Sequence, residues 1–399
     1  MPKAFDYSTL YRTDEGVENT WREVYDSSSP LAWNLLNILK TTIFLPHDFY
    51  DIVAAYFLLP SALCRTVPYL FLYGQSGSGK STVAKVASYL HGCSINSSSD
   101  TFAGIRNELD KRRQGWAERP DPEAPDKTYS VAAERNICMV WDDVDTGVWS
   151  RSPDLYRLFK FGTNKATDKI TLSSKETGVN LEFHCFCPKI FSSISPLHLD
   201  DQFRELRRRL IVIPCKRVEE LSDARKAELN VTDSNWQSKL LDLDAYDWNG
   251  FSEEFEEFWN LEMAKMFIDV RRLINEQVKG LTSQQRGISL DLMTTGIVAG
   301  VWQDETEALT RIKAYWKWFK DETEKNAGLS TLLKDFIKLE TKNAKNGNRP
   351  LEIYTADLRS QISAWVEQGW LYEKPSSKSV KELLLDMGLR HYQGKWIKG

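Results

Sequence analysis

The strongest chemical signal in this chain is the run Gly74-Gln75-Ser76-Gly77-Ser78-Gly79-Lys80-Ser81-Thr82. It fits the pattern G-x-x-x-x-G-K-[S/T], in which glycines let the backbone wrap around phosphate oxygens and turn its N–H groups onto them. The ammonium of Lys80 would reach the outer phosphates of a nucleotide, and the Ser81 hydroxyl would ligate Mg²⁺. Such a loop works between a strand and a helix, because the helix N-terminus adds its own attraction for anions. The apolar run Tyr69–Tyr73 supplies the strand and Val83–His91 the helix. The expected cofactors are ATP and Mg²⁺.

A phosphate loop needs acids on a neighbouring strand. Ile137-Cys-Met-Val-Trp141 runs directly into Asp142-Asp143, with Asp145 just beyond. Asp142 would hold Mg²⁺ through its waters, and Asp143 would orient and activate the attacking water. The bland alternative is a strand end with solvated acids. Further on, Lys189-Ile-Phe-Ser-Ser-Ile-Ser195 reads as an apolar strand ending in hydroxyls that could position water, with Ser195 preferred and Ser193 second. A strand end capped by solvated hydroxyls is the competing reading. The cluster Arg204-Glu-Leu-Arg207-Arg208-Arg209 then precedes the strand Leu210–Pro214. Arg208 or Arg209 suits a cation offered to the phosphate of a neighbouring subunit, and the alternative is a solvated basic face.

These groups must be held by several folded units, since 399 residues exceed one ordinary core. With 42% hydrophobic and 27% charged residues, the composition is that of a soluble globular protein. The expected class is α/β, in four regions. Residues 1–66 read as helical, 67–215 as a parallel-sheet core, 216–326 as a helical lid, and 327–399 as a small separate unit. Arg119-Pro-Asp-Pro-Glu-Ala-Pro125 reads as a surface excursion within the core, and Lys342–Pro350 as a loop. The six cysteines are scattered through mostly apolar runs, which predicts buried thiols rather than disulfides or a zinc site. Met1–Asp14 lacks a basic start followed by an apolar stretch, and the most apolar segment, Phe49–Tyr73, is broken by Asp51, Pro60, Arg65 and Pro68. No secretory signal and no membrane span are expected, and the location expected is cytoplasmic. The net charge of −4 is uneven: Thr331–Gly399 carries 12 Lys/Arg against 8 Asp/Glu, a net +4. That segment could meet an acidic partner.

The order of phosphate loop, paired acids, hydroxyl-ended strand, arginine cluster and helical region resembles AAA+ P-loop ATPases over residues 30–320. Within them it is similar to the superfamily III and minichromosome-maintenance-like helicases of phages, plasmids and genomic islands. Acid pairs of the Asp-Asp type fit that branch. The resemblance implies that Lys169–Leu172 and Val179–Phe183 form a hairpin entering the pore of a hexameric ring, with Lys175 at its tip on DNA. An ordinary surface hairpin is the alternative. It also implies a sensing arginine at the start of a lid helix, for which Arg286 in Ser283-Gln-Gln-Arg286 is the candidate; Arg271, Arg272 and Arg311 are also available. The hydroxyl-ended strand of such helicases ends in Asn, where this chain has Ser195.

The C-terminal run reads as helix, short strand, helix, helix and two strands about Gln393-Gly394, and so resembles a winged-helix domain. Arg390, Lys395, Trp396 and Lys398 would then face nucleic acid, although such domains also dock proteins. The expected function is an ATP-driven DNA helicase or translocase. It would form a homo-oligomeric, hexameric-type ring acting on single-stranded or forked DNA in replication of a mobile genetic element, with a primase or another replication protein as partner. The alternative is an AAA+ switch that acts on protein partners without unwinding, such as a transposition regulator, loader or defence ATPase.

Overall fold

The computed structural model describes residues 29–398 apart from 98, 121–127, 145–152, 174–179, 200–202, 238, 239, 241, 242, 244–247, 326–328, 348, 368–374 and 376. The chain opens with helices α1 (Leu31–Thr42) and α2 (Tyr50–Phe57), followed by strand β1 (Tyr69–Tyr73) and helix α3 (Lys80–Leu90). Next come β2 (Ile95–Asn96), α4 (Phe102–Arg113), the hairpin β3 (Gln114–Pro120) and β4 (Thr128–Glu134), and β5 (Met139–Trp141). Helix α5 (Pro153–Phe161) leads to a second hairpin, β6 (Lys169–Ser173) and β7 (Asn180–His184), and then to β8 (Lys189–Ser193). The short α6 (Arg204–Arg207) precedes β9 (Leu210–Pro214). Helices α7 (Asp223–Glu228), α8 (Trp248–Phe258), α9 (Leu261–Gln277), α10 (Ser283–Val298) and α11 (Glu305–Lys325) follow.

The chain is thus α/β, built on a five-stranded sheet in the order β2-β5-β8-β1-β9. Every pairing in it is parallel. Strands β5, β8 and β9 are buried along their whole length and β1 along all but its last residue, as expected of a parallel sheet covered on both faces. Tyr69, Phe71, Trp141, Phe159 and Phe191 stack edge-to-face or tilted in the core around it. Because the strands are parallel, their carboxyl ends share one edge, and there the chain leaves β1 as Gly74 and β5 as Asp142.

The predicted strands Tyr69–Tyr73 and Leu210–Pro214 have the expected bounds, whereas the strand expected over Ile137–Trp141 is regular only from Met139. Strand β3 pairs with β4 from Gln114↔Glu134 to Pro120↔Thr128, and residues 121–125 of the expected surface excursion lie outside the described residues.

The helices after the sheet are pinned to it by a buried acid. Asp291 on α10 accepts the backbone N–H groups of Arg65 and Thr66 at 2.8 and 3.1 Å, and the guanidinium of Arg271 on α9. Helix α10 starts at a capping box, with Thr282 Oγ1 accepting from Gln285 N and Gln285 Oε1 accepting from Thr282 N. Arg311 on α11 pairs with Asp51 of α2, which also accepts the Trp302 indole N–H at 2.8 Å.

The described residues fall into two compact units, one running to Ser195 and including Arg208–Tyr315, the other made of Pro196–Arg207 and Trp316 onward. The second unit contains helix α12 (Leu329–Asn346), β10 (Glu352–Tyr354), α13 (Thr355–Glu367), α14 (Ser377–Asp386), β11 (Leu389–Tyr392) and β12 (Lys395–Lys398). Its three strands pair antiparallel in the order β10-β12-β11, and the turn residues Gln393 and Gly394 both have positive φ, as a two-residue hairpin requires. Helix α12 runs to Asn346, so the loop expected from Lys342 starts later. All six cysteines are buried and free. No helix among the described residues is long and apolar enough to cross a membrane.

Candidate functional site

A cavity of about 730 Å³ opens at the carboxyl edge of the sheet in the first unit, lined by the loop Ser76–Thr82, both aspartates Asp142 and Asp143, and the segment Lys216–Glu219. The volume falls within the range of ordinary ligand pockets. Its position follows from topology, since the loop leaves β1 between its two neighbours β8 and β9, at the carboxyl edge where open parallel α/β sheets bind ligands.

The loop is shaped to cradle an anion. A Cβ placed on Gly74 would lie 1.9 Å from the Cys215 carbonyl oxygen and 2.9 Å from Ser78 Oγ, so only glycine fits. Gly79 adopts the left-handed conformation at φ 86°, which turns the chain into α3. Lys80 is buried, and its ammonium donates to the carbonyls of Gly74 and Gln75 at 2.7 and 3.0 Å. Burial lowers its pKa, while Asp143 and Asp142 oppose that shift. The buried Ser78 hydroxyl finds no hydrogen-bond partner among the described residues. A glycine cradle, an orphaned hydroxyl and a lysine held by loop carbonyls fit a bound polyphosphate. Ser81 and Asp142 are the oxygen donors that would hold Mg²⁺.

Register decides what faces the acids. Trp141 pairs with Phe191, which brings Asp142 level with Ser192, and Ser192 also pairs with Leu72, two residues before Gly74. Ser192 Oγ donates to Asp142 Oδ1 at 2.5 Å and accepts the Asp143 N–H at 2.8 Å. Asp143 itself has φ 53°, a conformation that costs a non-glycine residue of order 1 kcal/mol and recurs at functional sites. Ser193 Oγ donates to the Val144 carbonyl at 2.8 Å and accepts the Ser195 N–H at 3.2 Å. Ser195 does not line the cavity; its neighbour Ile194 does. The hydroxyl that meets the acids is therefore Ser192, not the preferred Ser195.

One wall is apolar. Thr42, Ile43 and Phe44 lie over the loop, with Tyr50 donating its hydroxyl to Ile43 O and accepting Leu45 N–H. Phe44 packs with Val218, Leu221 and Val231, and Trp236 and Leu240 lean on that cluster. A polar phosphate end and an aromatic-lined apolar end suit a nucleotide.

Other candidates lie elsewhere. Arg208 and Arg209 precede β9 at the amino edge of the sheet, where the Arg209 carbonyl accepts Tyr69 N–H and the Arg208 carbonyl accepts Gln284 Nε2. Extended chain from Arg209 to Cys215 spans roughly 20 Å, beyond the reach of an arginine toward its own cavity. Arg286 does not line the cavity either, and its guanidinium bonds the carbonyl and side chain of Asn275. Arg271 and Arg311 are committed to Asp291 and Asp51, and Arg272 pairs with Asp269. The β6–β7 hairpin forms as expected, but Lys175 lies outside the described residues, as does Asp145. In the second unit Arg390 is exposed, Lys395 pairs with Glu352 at 2.6 Å, and Trp396 is buried in the unit's core rather than facing outward. Arg217, unremarked in the sequence, stands at the loop with Nε donating to Ser76 O at 2.8 Å.

No family model matches the chain, and no curated protein matches it by sequence. The functional reading therefore rests on the site.

Proposed function

We propose that the protein is a Mg²⁺-dependent ATP hydrolase of the AAA+ type that acts as a motor on DNA. The observation carrying the ATPase reading is the insertion of β8 between the loop strand β1 and the acidic strand β5, with Ser192 tied to both aspartates beside the loop. In this reading Lys80 and the loop N–H groups bind the phosphates, and Asp143 takes the proton of the attacking water. Mg²⁺, held by Ser81 and Asp142, supplies screening of the phosphate charge.

Three features support the motor. Arg208 and Arg209 stand too far from their own cavity and would serve a neighbour's, as in a homo-oligomeric, hexameric-type ring. The β6–β7 hairpin lies in the chain between the acidic strand β5 and β8, the place where the resemblance to superfamily III helicases puts a pore hairpin. The second unit has the helix–strand–helix–helix–hairpin order of a winged helix. Replication of a mobile genetic element, beside a primase or another replication protein, is the setting this reading implies. A second reading, an ATPase switch acting on protein partners, draws on the second unit: Trp396 is buried and Lys395 is paired with Glu352, which takes two of the residues expected on nucleic acid away from that role.

Steady-state ATP hydrolysis by the full chain, with and without single-stranded and forked DNA and alongside Lys80→Ala, tests both. Turnover that rises with DNA and vanishes in the variant supports the motor. Turnover indifferent to DNA discards the motor and leaves the switch, and no turnover at all removes the ATPase.

A further inference from the structure

Resting on the ATP reading, we infer that Arg217 is a second phosphate-contacting cation acting within its own subunit, at the tip of the loop that carries Lys80. Its backbone is fixed by the sheet. Strand β9 pairs Pro214 with Tyr73, Cys215 N donates to Tyr73 O at 2.7 Å, and the Cys215 carbonyl packs against Gly74. Two residues on, Arg217 opens a short turn, with Glu220 N donating to Arg217 O at 3.0 Å and Arg217 N to Glu220 Oε2 at 3.4 Å.

From that anchor the side chain turns to the tip of the phosphate loop. One donor goes to the Ser76 carbonyl at 2.8 Å, and Nε would lie 3.8 Å from a Cβ on Gly77. A guanidinium has five donors in a planar fork, a shape matched to phosphate oxygens. Arg217 and Lys80 line the same cavity, and the Arg217 charge lowers the Lys80 pKa. Like charges so placed repel, and a polyphosphate between them turns repulsion into attraction on both sides. The other arginines that could have served, Arg271, Arg286 and Arg311, are engaged with Asp291, Asn275 and Asp51. Arg217 is the arginine lining the cavity among the described residues.

Binding of ATP and of ADP to the full chain, titrated for wild type, Arg217→Ala, Arg217→Lys and the surface control Arg272→Ala, tests the assignment, with nucleotide-free thermal unfolding as the check on folding. Arg217→Ala should weaken ATP binding about tenfold or more with unfolding unchanged, a size fitting one charge-assisted contact. Arg217→Lys should recover part of the loss, because it keeps the charge without the fork. A loss confined to ATP places the contact on the terminal phosphate and a loss shared by ADP places it further in; either supports the assignment. Wild-type affinity in Arg217→Ala overturns it while leaving the ATP reading intact. A wild-type protein that binds neither nucleotide overturns both.

Discussion

Ser192 Oγ donates to the Asp142 carboxylate at 2.5 Å while accepting the backbone N–H of Asp143 at 2.8 Å. One hydroxyl thus aims the carboxylate of the first acid and fixes the strained backbone of the second. Groups that orient a metal-holding carboxylate typically contribute 10–100-fold to metal affinity or activity. Ser192→Ala should lower ATP turnover by about that factor and raise the Mg²⁺ concentration needed for half-maximal rate. Ser195→Ala should leave both unchanged. Equal effects of the two substitutions in a Mg²⁺ titration would show that the register-derived assignment is wrong.

The placement of Arg208 and Arg209 at the amino edge of the sheet makes a prediction about subunits. Arg208→Ala/Arg209→Ala should cut turnover by roughly 10³-fold if these side chains act as fingers, with nucleotide affinity nearly intact. Mixing that variant with Lys80→Ala should restore part of the activity, since an intact loop then meets an intact finger from the other chain. If the mixture is no more active than its two components, the arginines do not act between subunits.

Asp291 is buried and receives two backbone N–H groups as well as the Arg271 guanidinium. Removing it strands a charge and two donors, a defect that costs about 3–5 kcal/mol. Urea unfolding of Asp291→Ala should register a loss of that size, with Asp291→Asn intermediate. A loss below about 1 kcal/mol would mean that solvent or another group replaces the carboxylate.

His91 stacks edge-on against Phe255, and burial, reinforced by the Arg112 charge, pulls its pKa from 6.5 to about 3. The folded protein holds the ring neutral where the unfolded chain protonates it. Below pH 6.5 the unfolded state therefore binds more protons, and stability falls with pH down to about pH 3, by about 1.4 kcal/mol per unit from this residue. His91→Gln cannot titrate, so its stability deficit relative to wild type should shrink as pH falls from 7 to about 4.5. Denaturant unfolding at several pH values reads that difference, and a constant deficit would refute a neutral buried ring.

The glycine-rich loop was legible because its signal is local. Glycine spacing, Lys80 and Ser81 act within one turn of chain, and a buried strand and a helix bracket them in the same stretch. The strand end before Asp142 was legible for a similar reason, since a β-branched or aromatic run ending in polar residues announces where a buried strand stops, whereas β8 ends at the buried Ser193, short of the preferred Ser195. The hairpin turn at Gln393-Gly394 rests on the same local preferences. Bounds were less secure: α12 ran through Lys342–Asn346, the first part of the stretch Lys342–Pro350 whose Asn, Gly and Pro content suggested a loop.

By itself, then, the amino-acid sequence determined an α/β chain with a glycine-rich loop between strand and helix and an acidic strand end, both consequences of short-range geometry and hydrophobic pattern. Only the tertiary structure decided which side chains meet. Ser192 rather than Ser195 reaches Asp142 because parallel pairing sets the register of β5 on β8. Arg217 reaches Ser76 across 141 positions because β9 lies beside β1. Arg286 is held at Asn275 because the α9–α10 packing places it there. Strand register and helix docking are settled by burial summed over many residues, and no local pattern encodes that sum.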